Sequence, residues 1–208
     1  MIRIYGIGTT RTLRVHWAMK EAGIEYETVP VEAGSEESES EEYKKINLTS
    51  KIPSADFDGY ILTESCAIIK YIGNMYNKKL VGKDQKEGSK IDEWLFYLLS
   101  EIDSHTLYII NKHAGNLAEI FGKSTVATKT AVNGFNNQIV KLSRGVSGNE
   151  FLVGNRFTVV DIMAVTCIIS ANKMTQYGLV VPESCQQYAD NLMKRSHFTD
   201  AWRENYGN

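Results

Sequence analysis

Strand-like patterning in this 208-residue chain is confined to its first 80 residues, and everything beyond repeats at the helical period. A chain built this way cannot close one continuous sheet, so it divides into a small α/β part and an all-α part. Ile2-Arg3-Ile4-Tyr5-Gly6 reads as a short strand ending at glycine. After the Gly8-Thr9-Thr10 turn, Val15, Ala18, Met19 and Ala22 fall at i, i+3, i+4 and i+7, one face of a helix that Gly23 stops. Tyr26 to Val31 is a second strand, and the acidic, polar stretch from Ser35 to Lys45 reads as an irregular surface helix. Ile52–Phe57 and Tyr60–Leu62, joined through Asp58-Gly59, carry a hairpin signal, after which Ile68, Tyr71, Ile72 and Met75 resume helical spacing. The order β-α-β-α-β-β-α implies a parallel first pair, joined by a crossover helix, and an antiparallel edge contributed by the hairpin.

Beyond Lys86, Ile91, Leu95, Leu98, Leu99 and Ile102 line one face of a long helix that extends toward His113. A weaker helix covers Ser124 to Ser143, Ile162, Val165 and Ile169 mark a third, and Pro182 opens a fourth at the position where proline is tolerated best. The expected division is residues 1–77, a polar linker over 78–85, and an all-helical part over 86–208. A chain of this length buries roughly 70% of its unfolded surface and needs no covalent or metal staple. Cys66, Cys167 and Cys185 lie far apart without CxxC spacing, so no zinc site, dithiol centre or disulfide framework is expected, and no metal. With 23 basic against 25 acidic residues the net charge is −2, which offers no footprint for nucleic acid or anionic lipid. No apolar window of about 18 residues occurs and no export segment follows Met1, so the expectation is a cytoplasmic protein with no membrane partner.

Three short stretches carry the chemistry. In Lys51-Ile52-Pro53 the proline either starts an edge strand or sits in a turn, with a cis bond, that leaves the Ile52 backbone to pair with an extended peptide. Thr63-Glu64-Ser65-Cys66-Ala67-Ile68 runs from the hairpin into a helix. Thr63 or Ser65 is there either as an N-cap, or the helix start and Ser65 take a carboxylate while Glu64 meets an ammonium group. The hydroxyls of Gly8-Thr9-Thr10-Arg11-Thr12 are either caps or donors to an anion such as a thiolate.

Taken together, Lys51-Ile52-Pro53 and Glu64-Ser65 with Ala67-Ile68 behind them resemble the glutathione-binding half of the cytosolic glutathione transferases. Thr9-Thr10-Arg11-Thr12-Leu13-Arg14-Val15 through Gly23-Ile24-Glu25-Tyr26 is similar to that family's first helix and second strand. Phe157-Thr158-Val159-Val160-Asp161-Ile162 resembles the capping box of its helical domain, with Thr158 and Asp161 at the S/T-x-x-D/E spacing. The resemblance implies a thioredoxin-like domain followed by a helical bundle. It further implies that Glu64 and Ser65 hold the γ-glutamyl end of glutathione, that the Ile52 backbone ahead of a cis Pro53 pairs with the cysteinyl amide, and that Lys51 lies near the glycine carboxylate. Thr9 falls where serine-type members keep their activating serine, with Thr10 one step away and Tyr5 a third hydroxyl inside the strand. Neither threonine is a cysteine, so a disulfide reductase of the cysteine type is not implied, and a serine/threonine-type, bacterial-like member is.

The implied activity is conjugation of the glutathione thiolate to small hydrophobic electrophiles, a detoxification reaction, with glutathione as co-substrate and the protein a homodimer. The electrophile would lie against the second domain, where His105 and Tyr108 on the long helix are the candidate contacts. Two alternatives use the same scaffold: a non-catalytic glutathione- or ligand-binding protein, and a glutathione-dependent isomerase or peroxidase. His16 is expected to be a surface or packing residue, Cys66 a small packing residue, and Glu36 to Glu42 a solvated face, while His113 and His197 have no partners at metal-ligand spacing.

Overall fold

Four strands, β1 (Ile2–Tyr5), β2 (Glu27–Val29), β3 (Ser54–Phe57) and β4 (Tyr60–Thr63), form one sheet in the order β2-β1-β3-β4 in the computed structural model, which describes residues 1–207. β1 and β2 run parallel with Ile4 opposite Thr28, while β3 is antiparallel to both β1 and β4. The hairpin turn closes with Gly59 N–H donating to Asp56 Oδ1 at 2.6 Å. The crossover helix α1 (Thr10–Ala22) ends at Gly23, whose φ of +68° is left-handed and whose N–H reaches back to the Lys20 carbonyl.

The periodicity of α1 understates its burial. Every residue from Thr12 to Met19 is buried, Arg14 and His16 included, because α3 (Ser65–Met75) and α10 (Ser196–Tyr206) both pack against it. With covered faces all round, an apolar stripe no longer marks the interior. β2 is shorter than expected because Tyr26 leaves the ladder and its hydroxyl engages His16 at 2.9 Å. β3 begins at Ser54 rather than Ile52, since Pro53 has no N–H for the ladder; the Ile52–Pro53 bond is cis. The acidic stretch becomes helical only at α2 (Glu41–Ile46), where Ser40 caps Tyr43 N–H at 3.1 Å. Upstream, the Ser35 and Ser38 hydroxyls bond local carbonyls and hold turns in place of a helix.

The chain divides into two compact units, Met1–Lys83 together with the stretch from Met193 onward, and Asp84–Leu192. This departs from the expected helical part over 86–208 at its far end, because α10 packs with the first unit. Phe198 meets Trp17 edge to face at 4.9 Å, Arg195 forks onto Glu21 at 2.6 and 2.7 Å, and Lys20 reaches Glu204 at 3.1 Å. The stretch expected to be a polar linker over 78–85 contains a short turn, Lys78–Leu80, and buries Leu80 and Val81. The division falls after Lys83, where Asp84 caps the next helix through Glu87 N–H at 2.8 Å.

In the second unit the long helix does run to His113, but in three parts: α4 (Gln85–Tyr97), a wide-turn π segment (Leu98–Leu107) and α5 (Tyr108–His113). A short α6 (Ala118–Phe121) leads to α7 (Thr125–Val146), and α9 (Glu183–Leu192) follows the central α8 (Val159–Asn172). All residues of α8 from Val159 to Ala171 are buried. Its start carries the reciprocal box of Thr158 and Asp161: Thr158 N–H donates to Asp161 Oδ2 at 2.7 Å, and Oδ1 accepts from Leu152 N–H and the Tyr188 hydroxyl. Among the described residues no helix is long and apolar enough to cross a membrane.

Because Asp161 is fully buried and satisfies several donors, its removal orphans them together. Asp161→Ala is expected to lower unfolding free energy by about 3 kcal/mol, read from denaturant midpoints, whereas Ser147→Ala on the surface moves it by less than about 0.5 kcal/mol.

Candidate functional site

The sheet register gathers the stretches singled out in the sequence. Tyr5, Ser54 and Thr63 form one row across β1, β3 and β4, so the residues that follow or precede them, Gly6, Pro53 and Glu64, leave the sheet at the same end. Gly6 and Ile7 extend the β1 alignment with N–H bonds to the Val29 and Val31 carbonyls, both at 3.0 Å. At Gly6, φ is +120°, and a Cβ built there would lie 2.7 Å from Ile52 Cβ and 2.8 Å from Thr12 Cγ2. The Ile52-Pro53 turn and the first turn of α1 therefore touch across a residue that has room for no side chain.

Thr9 is the N-cap of α1, in extended conformation, and is half-buried. Its Oγ1 accepts from Thr12 N–H at 3.0 Å, and the Thr12 hydroxyl accepts from Thr9 N–H at 3.0 Å, a reciprocal pair. Capping thus uses the acceptor side of the Thr9 hydroxyl. Its proton remains to be given, either to Thr12 Oγ1 at 3.0 Å or to a ligand. Thr10, the first residue of the helix, is also half-buried.

Two residues brace the Lys51–Pro53 turn from behind. The Lys51 carbonyl accepts from the Tyr43 hydroxyl and from Asn47 Nδ2, both at 2.8 Å, and both donors also reach Ser54 Oγ. Burial raises the Tyr43 phenol above its usual value, so it remains a donor. Lys51 itself is exposed, whereas Ile52 packs into a small core with Val31 and Tyr43, with Tyr5 against it.

Glu64 has φ +67° and ψ 113°, a backbone that costs a non-glycine residue about 1–3 kcal/mol. It occupies the N-cap position of α3, makes no side-chain cap bond and is exposed. Neither Thr63 nor Ser65 stands at the cap. Ser65 is the first helical residue, buried, and its Oγ takes a bond from Arg14 Nη1 at 3.3 Å. The start of α3 therefore offers backbone N–H groups and the positive end of its dipole beside an exposed carboxylate. Cys66 lies next to it, half-buried.

His16 is a fully buried packing residue with a specific duty. A carbonyl can only accept, so Nε2–H donates to the Gly6 carbonyl at 3.0 Å and Nδ1 accepts from Tyr26. Burial, the dominant influence, pulls its basicity below that of an ordinary histidine and keeps it neutral. Tyr5 packs on Tyr43 with ring centres 6.0 Å apart and engages Arg3. In the second unit, His105 is exposed with Nδ1 4.0 Å from Glu101, and Tyr108 is half-buried beneath Lys112 Nζ at 4.7 Å. Among the described residues no group of His, Cys, Asp and Glu has metal-binding geometry.

Sequence reasoning did not single out Gly6, Arg14 or Asn205 as parts of this site, and it left open which of Thr9, Thr10 and Thr12 serves as a cap. Thr9-x-x-Thr12 has capping-box spacing and was legible in principle. Arg14 and Asn205 had no local signal, because their partners Ser65 and Thr12 are 51 and 193 positions away.

Residues 2–74 match the family described as "Glutathione S-transferase, N-terminal domain". Rat (Rattus norvegicus) glutathione S-transferase alpha-4 is 27% identical over 176 residues, covering 82% of this chain and 73% of that protein. Maleylacetoacetate isomerase of Dictyostelium discoideum is 28% identical over 197 residues, covering 86% and 88%. Among solved structures, glutathione transferase URE2P6 of Phanerochaete chrysosporium, in complex with oxidized glutathione, superposes with a TM-score of 0.84 at 22% identity over 98% of this chain and 96% of that one. The theta class enzyme of Xanthomonas axonopodis pv. citri, with glutathione bound, gives 0.82 at 19% identity over 96% of each chain. The architecture is the glutathione transferase fold, a thioredoxin-like domain followed by a helical one. The family match covers the first domain alone, and the likeness over the rest of the chain is one of fold.

The close approach at Gly6 leaves that position little tolerance for change. Gly6→Ala combines a disfavoured φ with overlap on Ile52 and Thr12 and is expected to cost about 2–4 kcal/mol, measured as a fall in thermal midpoint, whereas Gly148→Ala, with open space around it, costs less.

Proposed function

We propose that this protein is a glutathione transferase of the serine/threonine type, which binds glutathione at the shared sheet end and adds its thiolate to small hydrophobic electrophiles. The observation that carries the reading is the arrangement of Thr9: its hydroxyl caps α1 as an acceptor and keeps its proton, at the sheet end shared by Ile52 and the start of α3. Glu64 and Ser65, with the α3 dipole behind them, take the γ-glutamyl ammonium and carboxylate. The Ile52 backbone forms one added rung with the cysteinyl amide, and Lys51 attracts the glycine carboxylate.

The thiol must lose its proton. At its ordinary pKa of about 8.5 only a few per cent is thiolate at neutral pH. One hydrogen bond from Thr9 to the anion contributes about 1.5–3 kcal/mol, roughly one to two pKa units, which makes about a fifth to three quarters of bound glutathione thiolate at pH 7. The sulfur then attacks the electrophilic carbon, and the electron pair moves onto the acceptor or the leaving group. The protein's share is orientation and charge stabilisation, with no covalent intermediate on the chain. His105 and Tyr108 are the proposed contacts on the electrophile side; the working form is a homodimer in the cytoplasm.

A second reading, cis–trans isomerisation through reversible thiolate addition, is favoured by the likeness to maleylacetoacetate isomerase over 88% of that protein. The two separate by stoichiometry, since conjugation consumes glutathione and isomerisation regenerates it.

Thr9→Val is expected to lower turnover at pH 6.5 at least tenfold with little change in glutathione affinity, because it removes the donor and keeps the volume. Ser65→Ala is expected to do the reverse, weakening glutathione about tenfold by calorimetry, the equivalent of one lost hydrogen bond to a charged group. Loss of turnover with Thr10→Val, and none with Thr9→Val, would move the donor by one position.

A further inference from the structure

Helix α10 sends one buried asparagine into the turn that carries Thr9. Asn205 is 1% exposed, and its side-chain nitrogen, side-chain oxygen and main-chain carbonyl each reach residues Gly8 to Thr12, while the side chain also bonds the Tyr206 hydroxyl. Its Nδ2 donates to the Thr9 carbonyl at 3.0 Å, its Oδ1 accepts from the Thr12 hydroxyl at 2.6 Å, and its own carbonyl accepts from Gly8 N–H at 2.9 Å. The orientation of the amide follows from chemistry: the Thr9 carbonyl can only accept, so nitrogen faces it, and the oxygen is left for Thr12.

The single proton of Thr12 decides the rest. The Thr9 carbonyl already accepts from Leu13 N–H at 3.0 Å and from Asn205 Nδ2, which uses both its lone pairs. The Thr12 proton therefore goes to Asn205 Oδ1, its shortest contact. With that proton committed, Thr12 Oγ1 has none to give Thr9 and can only accept there, so the Thr9 proton rests on Thr12 Oγ1 until a stronger acceptor, an anion, takes it. Asn205 thus fixes the backbone on either side of Thr9 and keeps the Thr9 hydroxyl from serving as an acceptor for the Thr12 hydroxyl, which leaves its proton to be donated.

Docking α10 does not require this residue. The helix is already held by Phe198 on Trp17, by the Arg195–Glu21 fork and by Lys20–Glu204. A buried asparagine costs desolvation that an apolar side chain would avoid, so its presence calls for a role in the turn it contacts. We infer that Asn205, acting with Thr12, is a positioning residue that holds the Thr9 hydroxyl where it donates to the sulfur of bound glutathione. The inference rests on the reading of Thr9 given above, and the test keeps the two apart.

The thiolate absorbance of bound glutathione is titrated against pH in the full chain, in Thr9→Val, in Asn205→Ala and in the double variant. Asn205→Ala is expected to raise the midpoint by about one pH unit. Turnover then falls severalfold at pH 6.5 and recovers at pH 8.5, while KM for glutathione stays within twofold. In the Thr9→Val background the same substitution adds nothing, because it acts through that hydroxyl. Asn205→Asp raises the midpoint further than alanine does, since a carboxylate cannot donate to the Thr9 carbonyl and sets a negative charge near the thiolate.

An unmoved midpoint in Asn205→Ala, with a raised one in Thr9→Val, overturns the positioning role and leaves Thr9 standing; additive shifts in the double variant overturn it equally. An unmoved midpoint in Thr9→Val overturns both. Should Asn205→Ala fail to fold, Thr12→Ser against Thr12→Val decides: the serine keeps the wild-type midpoint and the valine raises it, and equal midpoints overturn the proposal.

Discussion

Strand register and one missing side chain do most of the work of assembling this site. Because Tyr5, Ser54 and Thr63 share a row, the residues beyond them emerge together at one edge of the sheet, and a slip of one residue would send them to different faces. Gly6 then lets the first turn of α1 approach Ile52 to a distance at which a methyl group would overlap both. His16 fixes this approach by bonding the Gly6 carbonyl, which also fixes the His16 tautomer, and Tyr26 holds the other ring nitrogen. Each of these contacts is local in space and distant in sequence, so the close approach is a property of the folded unit as a whole.

The two helix starts that meet there are treated differently. The first turn of α1 is closed by its own side chains, Thr9 and Thr12 satisfying each other's backbone N–H groups. The start of α3 has no such closure: its N-cap residue, Glu64, turns its carboxylate outward in a strained backbone conformation. A closed helix start can present a hydroxyl proton, and an open one can receive an anion. A γ-glutamyl group with a thiol further along its chain needs both, side by side.

Much of this was legible in the sequence, and the parts that were not share a physical cause. Strand and helix periods give the element order, Asp58-Gly59 gives the hairpin, and Gly23 gives the end of α1, because each is set by interactions within a few residues. The burial of Arg14 and His16 was hidden because α1 is covered by α3 on one side and α10 on another, which removes the polar face that a pattern reading relies on. The placement of α10 with the first unit was hidden for a similar reason. Its amphipathic spacing says that one face is buried but not against what, and the answer lies in Trp17 and Glu21, far away along the chain. The brace on the Lys51 carbonyl was missed because Tyr43 read as part of an irregular polar stretch and Asn47, just beyond it, carried no local signal.

The distribution of buried polar side chains in the first unit supplies a last argument. Thr12, Arg14, His16, Asn47, Ser54, Ser65 and Asn205 are all buried, and each lies in or bonds to Gly6, the Gly8–Thr12 turn, the Lys51–Ser54 turn or the start of α3; Ser38, which bonds Ser35, stands apart. Replacing buried polar groups by well-packed apolar ones commonly leaves a protein as stable or more so. A domain selected for stability alone would have no reason to gather them at one end of its sheet. Gathered there, they fix the directions of donors and carbonyls in turns that carry few apolar contacts of their own. The sheet end is thus preorganised by bonds that contribute geometry more than stability, which is what a site that must steer a single proton requires.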